Sequence, residues 1–158
     1  MLVDKNIIAK VLASVPQKEP FRFIDDILEL NHESITATYR FKSNEYFYQG
    51  HFAGNPITPG VILIETMAQA GVVALGIYLL LHNGGMDEPI HEVTPLFACV
   101  DQVEFFGIVK PGEQVHIIGQ KIYFRKGTIK SNVRMHRENG ELVCRGKLTG
   151  TGVKTHEK

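Results

Sequence analysis

The run from Val61 to Leu81 is the feature that most constrains the fold of this 158-residue chain. It is apolar on every side of a helix, with Glu65 as its one charged residue, and it is about as long as a bilayer span requires. Gln69, two internal glycines and the lack of flanking Lys or Arg argue against a transmembrane helix. A helix that is apolar all round must then be buried inside the protein, wrapped by a sheet.

Six segments with strand character accompany this helix, two before it and four after it. Turn residues such as Asn139-Gly140 separate them. Thr58 is a candidate N-cap for the long helix, and Pro59 would occupy its first position. We predict a short amphipathic helix over 5–14, the central helix over 59–81, and strands over 21–30, 34–42, 96–106, 114–125, 128–137 and 142–149. Residues 83–94 are expected to form a loop, and 151–158 a frayed tail.

This order predicts an α+β protein in which an antiparallel six-stranded sheet curls around one long helix. The length suits a single domain over residues 1–158. The N-terminus lacks the pattern of a signal peptide, so a cytoplasmic location is expected, with no membrane partner.

Charge is balanced overall but divided unevenly along the chain. The net charge is zero, which gives no indication of nucleic-acid binding. Residues 1–100 hold 6 Lys/Arg against 11 Asp/Glu, and residues 101–158 hold 11 against 6. We expect most of these charges to lie on solvent-exposed faces of strands. The alternative is a basic patch in the C-terminal half that binds an acidic partner.

The loop before the central helix carries the first candidate for chemistry, His51. It lies in a Gly/Pro-rich segment that opens the helix. Histidines are more often structural than catalytic, but this one is close to a helix N-terminus, where unpaired N–H groups carry the positive end of the dipole. Gly60 has no side chain, so a carbonyl oxygen on which negative charge develops could approach those groups closely.

Glu65 is the second candidate. A carboxylate among apolar residues is costly to bury, and burial would raise its pKa, as suits a general acid or base at neutral pH. The competing interpretation is a Glu on an exposed strip of the helix, but no neighbouring charge marks such a strip. Gln69 lies four residues on and could bond Glu65. An anchoring role for Gln69 and a direct role in the chemistry remain equally open.

A base, an acid and an oxyanion-type donor together suit proton abstraction next to a carbonyl with loss of a β-hydroxyl group. The chain has no nucleophile elbow, phosphate loop or dinucleotide fingerprint, and its His and Cys residues lack metal-ligand spacing. We therefore expect an enzyme that uses neither metal nor cofactor.

The central stretch resembles the (3R)-hydroxyacyl-acyl carrier protein dehydratases of the FabZ type, which have the hotdog fold. The family pattern is G-H-F-P-x-x-P-x-x-P-G-V-x-x-x-E-x-x-A-Q, and this chain reads G-H-F-A-G-N-P-I-T-P-G-V-I-L-I-E-T-M-A-Q. The resemblance extends over about residues 15–150. It implies dehydration of a carrier-bound (3R)-hydroxyacyl thioester to the trans-2-enoyl thioester, in fatty-acid or related lipid synthesis.

The resemblance also implies roles for individual residues. His51 would take the α-proton, Glu65 would protonate or position the leaving hydroxyl, and the Gly60 N–H would polarise the thioester carbonyl. Gln69, Phe52 and Pro59 would support them. The acyl chain would lie in an apolar tunnel along the central helix.

The partners that the resemblance implies are an acyl carrier protein with a phosphopantetheine-linked chain and a second copy of the same protein. The two catalytic side chains of each site would come from different subunits of a homodimer, which could assemble into a hexamer. Basic surface residues would meet the acidic carrier; the candidates are Lys121, Arg125, Lys126 and Lys130.

Three departures from the family pattern bear on the substrate. Ala53 replaces a proline, Gln17-Lys18-Glu19 stands where a histidine-arginine pair is frequent, and Phe105-Phe106-Gly107 replaces a more basic segment. Two alternative functions stay open: a hotdog thioesterase, and a non-catalytic hotdog subunit that binds an acyl carrier. Two carriers also stay open, an acyl carrier protein and coenzyme A.

Overall fold

The computed structural model describes residues 3–83 and 90–154. A first helix, α1 (Lys5–Ser14), is capped by Asp4, whose side chain accepts a hydrogen bond from the Asn6 N–H at 2.9 Å. A 3₁₀ turn (Tyr46–Gln49) precedes the central helix (Gly60–His82), and another (Ile90–Glu92) follows it. The strands are β1 (Asp26–Leu30), β2 (Ser34–Arg40), β3 (Val93–Phe105), β4 (Gln114–Arg125), β5 (Thr128–Arg137) and β6 (Leu142–Lys154).

The six strands form one antiparallel sheet in the order β1-β2-β4-β5-β6-β3. Most inward-facing residues of β2, β4, β5 and β6 are apolar and buried, and they form one core with the central helix. The predicted six-stranded antiparallel sheet around one long helix is therefore confirmed. β1 and β3 are the edge strands, and several large apolar side chains of β3 are exposed.

The central helix is long and apolar enough to cross a membrane by length and composition alone, and 78% of its most apolar window is buried inside the protein. Within the described residues no other helix meets that test. The prediction that the helix is a core element is thus confirmed.

The helix changes pitch where it crosses the sheet most closely. Gly60–Ala68 and Leu75–His82 are α-helical, and Gln69–Ala74 between them is π-helical. The Ser131 hydroxyl donates a hydrogen bond to the carbonyl of Gly71 at 2.7 Å. A Cβ on Gly119 would lie 2.7 Å from Cα of Gly71, so helix and strand meet backbone to backbone. Glycine at both positions is what permits this approach.

Three predicted boundaries differ from the structure by three residues or more. The first strand begins at Asp26 rather than Phe21, because the Phe21 carbonyl and the Phe23 N–H are hydrogen-bonded to the Gln69 side chain. The last strand continues to Lys154, because Thr151–Lys154 pair with Val93–Leu96 of β3. Part of the predicted frayed tail is therefore strand, and β3 starts earlier than predicted. Residues 84–89 of the predicted loop and 155–158 of the predicted tail lie outside the described residues.

Candidate active site

The central helix begins at Gly60 with Pro59 as its N-cap, and the carbonyl of Pro59 accepts hydrogen bonds from the N–H groups of Ile62 and Leu63 at 2.9 and 3.1 Å. The predicted Thr58 cap is wrong. The Thr58 hydroxyl is instead hydrogen-bonded to the hydroxyl of Tyr48 at 2.7 Å. Pro59 thus lies one position before the helix rather than at its first position.

Gly60 contributes the first amide of the helix, which has no acceptor within the helix and lies at the positive end of its dipole. The ring of Phe105, at the end of β3, packs on it: a Cβ at Gly60 would be only 3.1 Å from Phe105 Cζ. A side chain at position 60 would displace that ring. The absence of a side chain therefore keeps the helix end compact and its amide approachable.

The loop 51–57 holds the imidazole of His51 in one orientation. The Ile57 N–H donates to the carbonyl of His51 at 2.9 Å, while His51 Nδ1 lies 2.8 Å from the carbonyl oxygen of Ile57. Because a carbonyl oxygen only accepts, Nδ1 must carry the hydrogen. The Nε2 of a neutral His51 then has a free lone pair, as a general base requires. The ring of Phe52 stacks on the imidazole, with centroids 4.1 Å apart.

Glu65 lies in the second turn of the helix and is held by Gln69. The Gln69 Nε2 donates to Glu65 Oε1 at 3.0 Å and to the carbonyl of Phe21 at 2.9 Å, and its Oε1 accepts the Phe23 N–H at 2.7 Å. Gln69 is fully buried. Burial raises the pKa of Glu65, and the hydrogen bond from Gln69 offsets this in part. The contacts of Gln69 favour an anchoring role that also orients the carboxyl group.

A cavity of about 190 Å³ opens beside Glu65. Glu65 and Gln17 are its polar lining side chains among the described residues, and the rest of the lining comprises Ala68, Val72, Val73, Pro95, Leu96, Phe97 and Gly150. A second, smaller cavity of about 50 Å³ shares Val72, Val73, Pro95 and Gly150 with the first. It continues along the central helix past Gly76 to Leu80 between mostly apolar residues. The two cavities are therefore neighbours along the central helix, and Glu65 lies on the wall of the larger one.

His51 does not line either cavity, so a single chain does not bring His51 and Glu65 to the same cavity wall. The sequence marked Gln17 only as part of a departure from the family pattern, because nothing in the residues around it indicates that it lies on the cavity wall beside Glu65. Across residues 3–83 and 90–154 no group of three or more His, Cys, Asp and Glu side chains is placed to hold a metal ion.

The four basic residues suggested for carrier binding differ in their exposure and in their ion pairing. Lys121 is engaged by Glu33, with its Nζ 3.2 Å from Oε1 of that carboxylate. Arg125 and Lys126 are exposed where β4 turns into β5, and within the described part of the chain they form no ion pair. Lys130 lies further along β5 and is half-buried.

Solved structures resemble this chain over nearly its whole length. The dehydratase heterocomplex ApeI:P from Xenorhabdus doucetiae superposes with a TM-score of 0.72, covering 93% of this chain and 93% of that one, at 14% identity. A mutant thioesterase from Pseudomonas aeruginosa gives a TM-score of 0.62, covering 93% and 94%, at 15% identity. At such identities the likeness is one of fold, and the long helix inside a curled antiparallel sheet is the hotdog fold.

Sequence comparison assigns the chain to a family within this fold. The sequence model of the FabA-like domain matches residues 15–149. A protein named 3-hydroxyacyl-[acyl-carrier-protein] dehydratase FabZ from Syntrophobacter fumaroxidans is 38% identical over 145 residues, which are 91% of this chain and 92% of that protein. Another of that name from Caldicellulosiruptor bescii is 36% identical over 142 residues, 89% of this chain and 94% of that one. The chain therefore belongs to the FabA-like family, with relatives of the FabZ type.

Proposed function

We propose that this protein dehydrates a (3R)-hydroxyacyl thioester on acyl carrier protein to the trans-2-enoyl thioester, as a step in fatty-acid or related lipid synthesis. The observation that carries the proposal is the carboxyl group of Glu65, oriented by Gln69 on the wall of a mostly apolar cavity. Its raised pKa favours the protonated form, which is the form that donates a proton to a leaving hydroxyl. The activity named for the FabZ relatives supports the same reaction.

Each proposed group has a separate task in the reaction. The free Nε2 of His51 takes the proton from C2, and the bond between C3 and oxygen breaks as Glu65 delivers its proton to that oxygen, which leaves as water. Acid–base groups of this kind contribute about 10²–10⁴-fold each. The Gly60 N–H donates to the thioester carbonyl, where negative charge develops as C2 loses its proton.

We place the acyl chain in the space beside the central helix that the two neighbouring cavities occupy. Its wall from Val72 to Leu80 offers almost no hydrogen-bonding side chain, which suits a hydrocarbon and excludes water. Arg125 and Lys126 are the better candidates for contact with an acidic carrier, because their charges are exposed and unpaired among the described residues. Lys121 is the weaker candidate, because Glu33 already neutralises it.

The site also calls for a second copy of the chain. β3 is an edge strand, and it exposes Leu96, Phe97, Val100 and Phe105 by 45–50% each. A long apolar edge is a template for pairing with another strand. We propose that two copies pair through β3 and that the loop with His51 of one copy reaches the cavity beside Glu65 of the other. The family resemblance implies that such dimers assemble further into a hexamer. Size-exclusion chromatography with light scattering measures the mass of the assembly.

The two alternatives have no observation of their own in their favour. The thioesterase neighbours share the fold at low identity, and a non-catalytic subunit would not need an oriented carboxyl group beside an apolar cavity. Incubation of the protein with a panel of 3-hydroxyacyl carriers of graded chain length, followed by mass spectrometry of the carrier, tests the proposal. Loss of one water is expected. Release of the free carrier thiol would point to a thioesterase, and an unchanged carrier that co-elutes with the protein would point to a non-catalytic subunit.

A further inference from the structure

Gln17 lies between α1 and β1, and its side chain forms part of the cavity beside Glu65. Its Oε1 is inaccessible to solvent and has no hydrogen-bond partner within residues 3–83 and 90–154. Its Nε2 keeps accessible surface and forms no hydrogen bond within the same residues, so it is the amide atom that a group in the adjoining cavity can reach.

The chemistry of the cavity restricts what that ligand group can be. Glu65 and Gln17 are the polar side chains on its wall, and the remaining lining residues have only carbon atoms in their side chains or none at all. Gln69 is hydrogen-bonded to Oε1 of Glu65, and the second carboxyl oxygen forms no hydrogen bond within the described residues, so it can bond a ligand. A polar group of a substrate beside this wall would therefore meet two hydrogen-bonding side chains among otherwise apolar lining residues.

We propose that Gln17 binds the hydroxyl group on C3 of the substrate, the group that leaves as water; this inference rests on the proposed dehydration. The hydroxyl oxygen accepts a hydrogen bond from the amide nitrogen of Gln17 and keeps a second lone pair for the proton of Glu65. When the bond between C3 and oxygen breaks, its electron pair stays on the oxygen, which takes the Glu65 proton and leaves as water. The amide gains and loses no proton.

The amide of glutamine suits this task in either orientation. A hydroxyl group both donates and accepts hydrogen bonds, and the two ends of an amide accept and donate respectively. A site built to bond a hydroxyl discriminates strongly against an analogue that lacks it, because its buried polar group is then left without a partner. Gln17 is thus a substrate-binding residue that selects acyl chains carrying the 3-hydroxyl group.

A purely structural role for the Gln17 side chain is not required by its segment. The Arg22 guanidinium donates to the carbonyl of Leu12 at 2.8 Å, and Lys18 Nζ donates to the carbonyl of Val15 at 3.1 Å. These bonds connect the segment to the end of α1 without the amide of Gln17. Replacing that amide should therefore leave the backbone in place.

The test compares Gln17→Met, which keeps the length of the side chain and removes the amide, with Gln120→Met, an exposed glutamine of β4 outside the cavity. In the intact protein we expect Gln17→Met to lower kcat/KM roughly tenfold to a hundredfold, as for the loss of a hydrogen bond to a buried group. Gln120→Met should stay within about twofold of the parent protein.

Binding measurements separate substrate contact from structural damage. Each substitution is combined with Glu65→Gln to prevent turnover, and affinity is measured for a 3-hydroxyacyl carrier and for the saturated acyl carrier of equal length. Gln17→Met should weaken binding of the hydroxyl-bearing chain about tenfold and leave the saturated chain within about twofold.

Two results would overturn the assignment of Gln17. One is equal weakening of both chains by Gln17→Met, which would mean a structural role. The other is a Gln17→Met protein that matches Gln120→Met in turnover and in binding. If the parent protein makes no enoyl product from any 3-hydroxyacyl carrier, the dehydration itself fails and this inference fails with it. A parent protein that dehydrates while Gln17→Met is unaffected would contradict the role of Gln17 alone.

Discussion

Gln69 lies one turn after Glu65 on the central helix and donates a hydrogen bond to its carboxyl group at 3.0 Å. The same amide group bonds the backbone of Phe21 and of Phe23, which lie before β1. One buried side chain thus connects the carboxyl group to the segment that covers it. The orientation of Glu65 and the stability of this part of the fold therefore depend on the same amide.

Replacing Gln69 by Leu should destabilise the protein by about 2–4 kcal/mol, because the Phe23 N–H and the Phe21 carbonyl lose their partner while remaining covered. Urea unfolding measures the loss. Gln120→Leu, on the exposed side of β4, is the matched control and should change stability by less than about 0.5 kcal/mol. A Gln69→Leu protein as stable as this control would mean that the three hydrogen bonds are dispensable.

Burial of Glu65 should make stability depend on pH in a defined direction. Its pKa is raised above 4.5 in the folded protein, chiefly by desolvation, so the folded state binds the proton more tightly than the unfolded state. The favourable contribution is complete below pH 4.5 and is lost as pH rises through the folded-state pKa.

Glu65→Gln, which stays neutral, should not show this loss. Unfolding of both proteins between pH 4 and pH 8 checks the expectation, with the other titrating groups cancelling between them. The variant should gain stability relative to the parent as the pH rises. A constant difference across that range would show that folding does not shift the pKa of Glu65.

The contact between Gly119 and Gly71 should tolerate no side chain. A Cβ on Gly119 would lie 2.7 Å from Cα of Gly71 and 3.1 Å from Cγ2 of Ile35, so strand and helix would have to separate. Gly119→Ala should cost about 1–3 kcal/mol in urea unfolding. Gly50→Ala is the control, because Gly50 has a φ of −104° and nothing within 4 Å of an added Cβ. Equal stability of the two variants would contradict the close packing.

The imidazole of His51 should be the tautomer with hydrogen on Nδ1 when it is neutral, because Nδ1 faces the carbonyl of Ile57 at 2.8 Å. Nitrogen-15 NMR of the ring distinguishes the two tautomers. His51→Asn should retain a donor for that carbonyl and lack a base, so the variant should fold normally with turnover lowered at least about a hundredfold. A ring with hydrogen on Nε2 would remove the lone pair that the mechanism uses.

Much of the fold could be predicted from the sequence, because apolar periodicity and turn residues act locally. The bounds predicted for β4 and β5 agree with the structure, and the apolar run of the central helix required burial wherever the strands lay. The start of β1 and the end of β6 could not be predicted. Phe21 and Phe23 form backbone hydrogen bonds with the Gln69 side chain instead of with a neighbouring strand. The end of β6 is a strand because it pairs with Val93–Leu96.

The candidate site likewise contains residues that the sequence indicates and groups that it does not. His51, Gly60 and Glu65 stand out locally, as a histidine before a helix, a glycine at its start and a carboxylate in an apolar run. The carbonyl of Ile57 and the amide of Gln17 do not, because a backbone group and an ordinary glutamine carry no sequence signal. Their positions depend on how the loop and the end of α1 fold against the central helix.

In the proposed dimer, His51 of one copy and Glu65 of the other together dehydrate the substrate. Coexpression of His51→Asn and Glu65→Gln chains with different tags, with isolation of the mixed dimer, tests it most directly. One of the two sites in that dimer keeps both side chains, so we predict about half the turnover of the parent dimer. The homodimer of each variant should be inactive. A mixed dimer as inactive as either homodimer, while the parent dimer dehydrates the carrier, would contradict the claim.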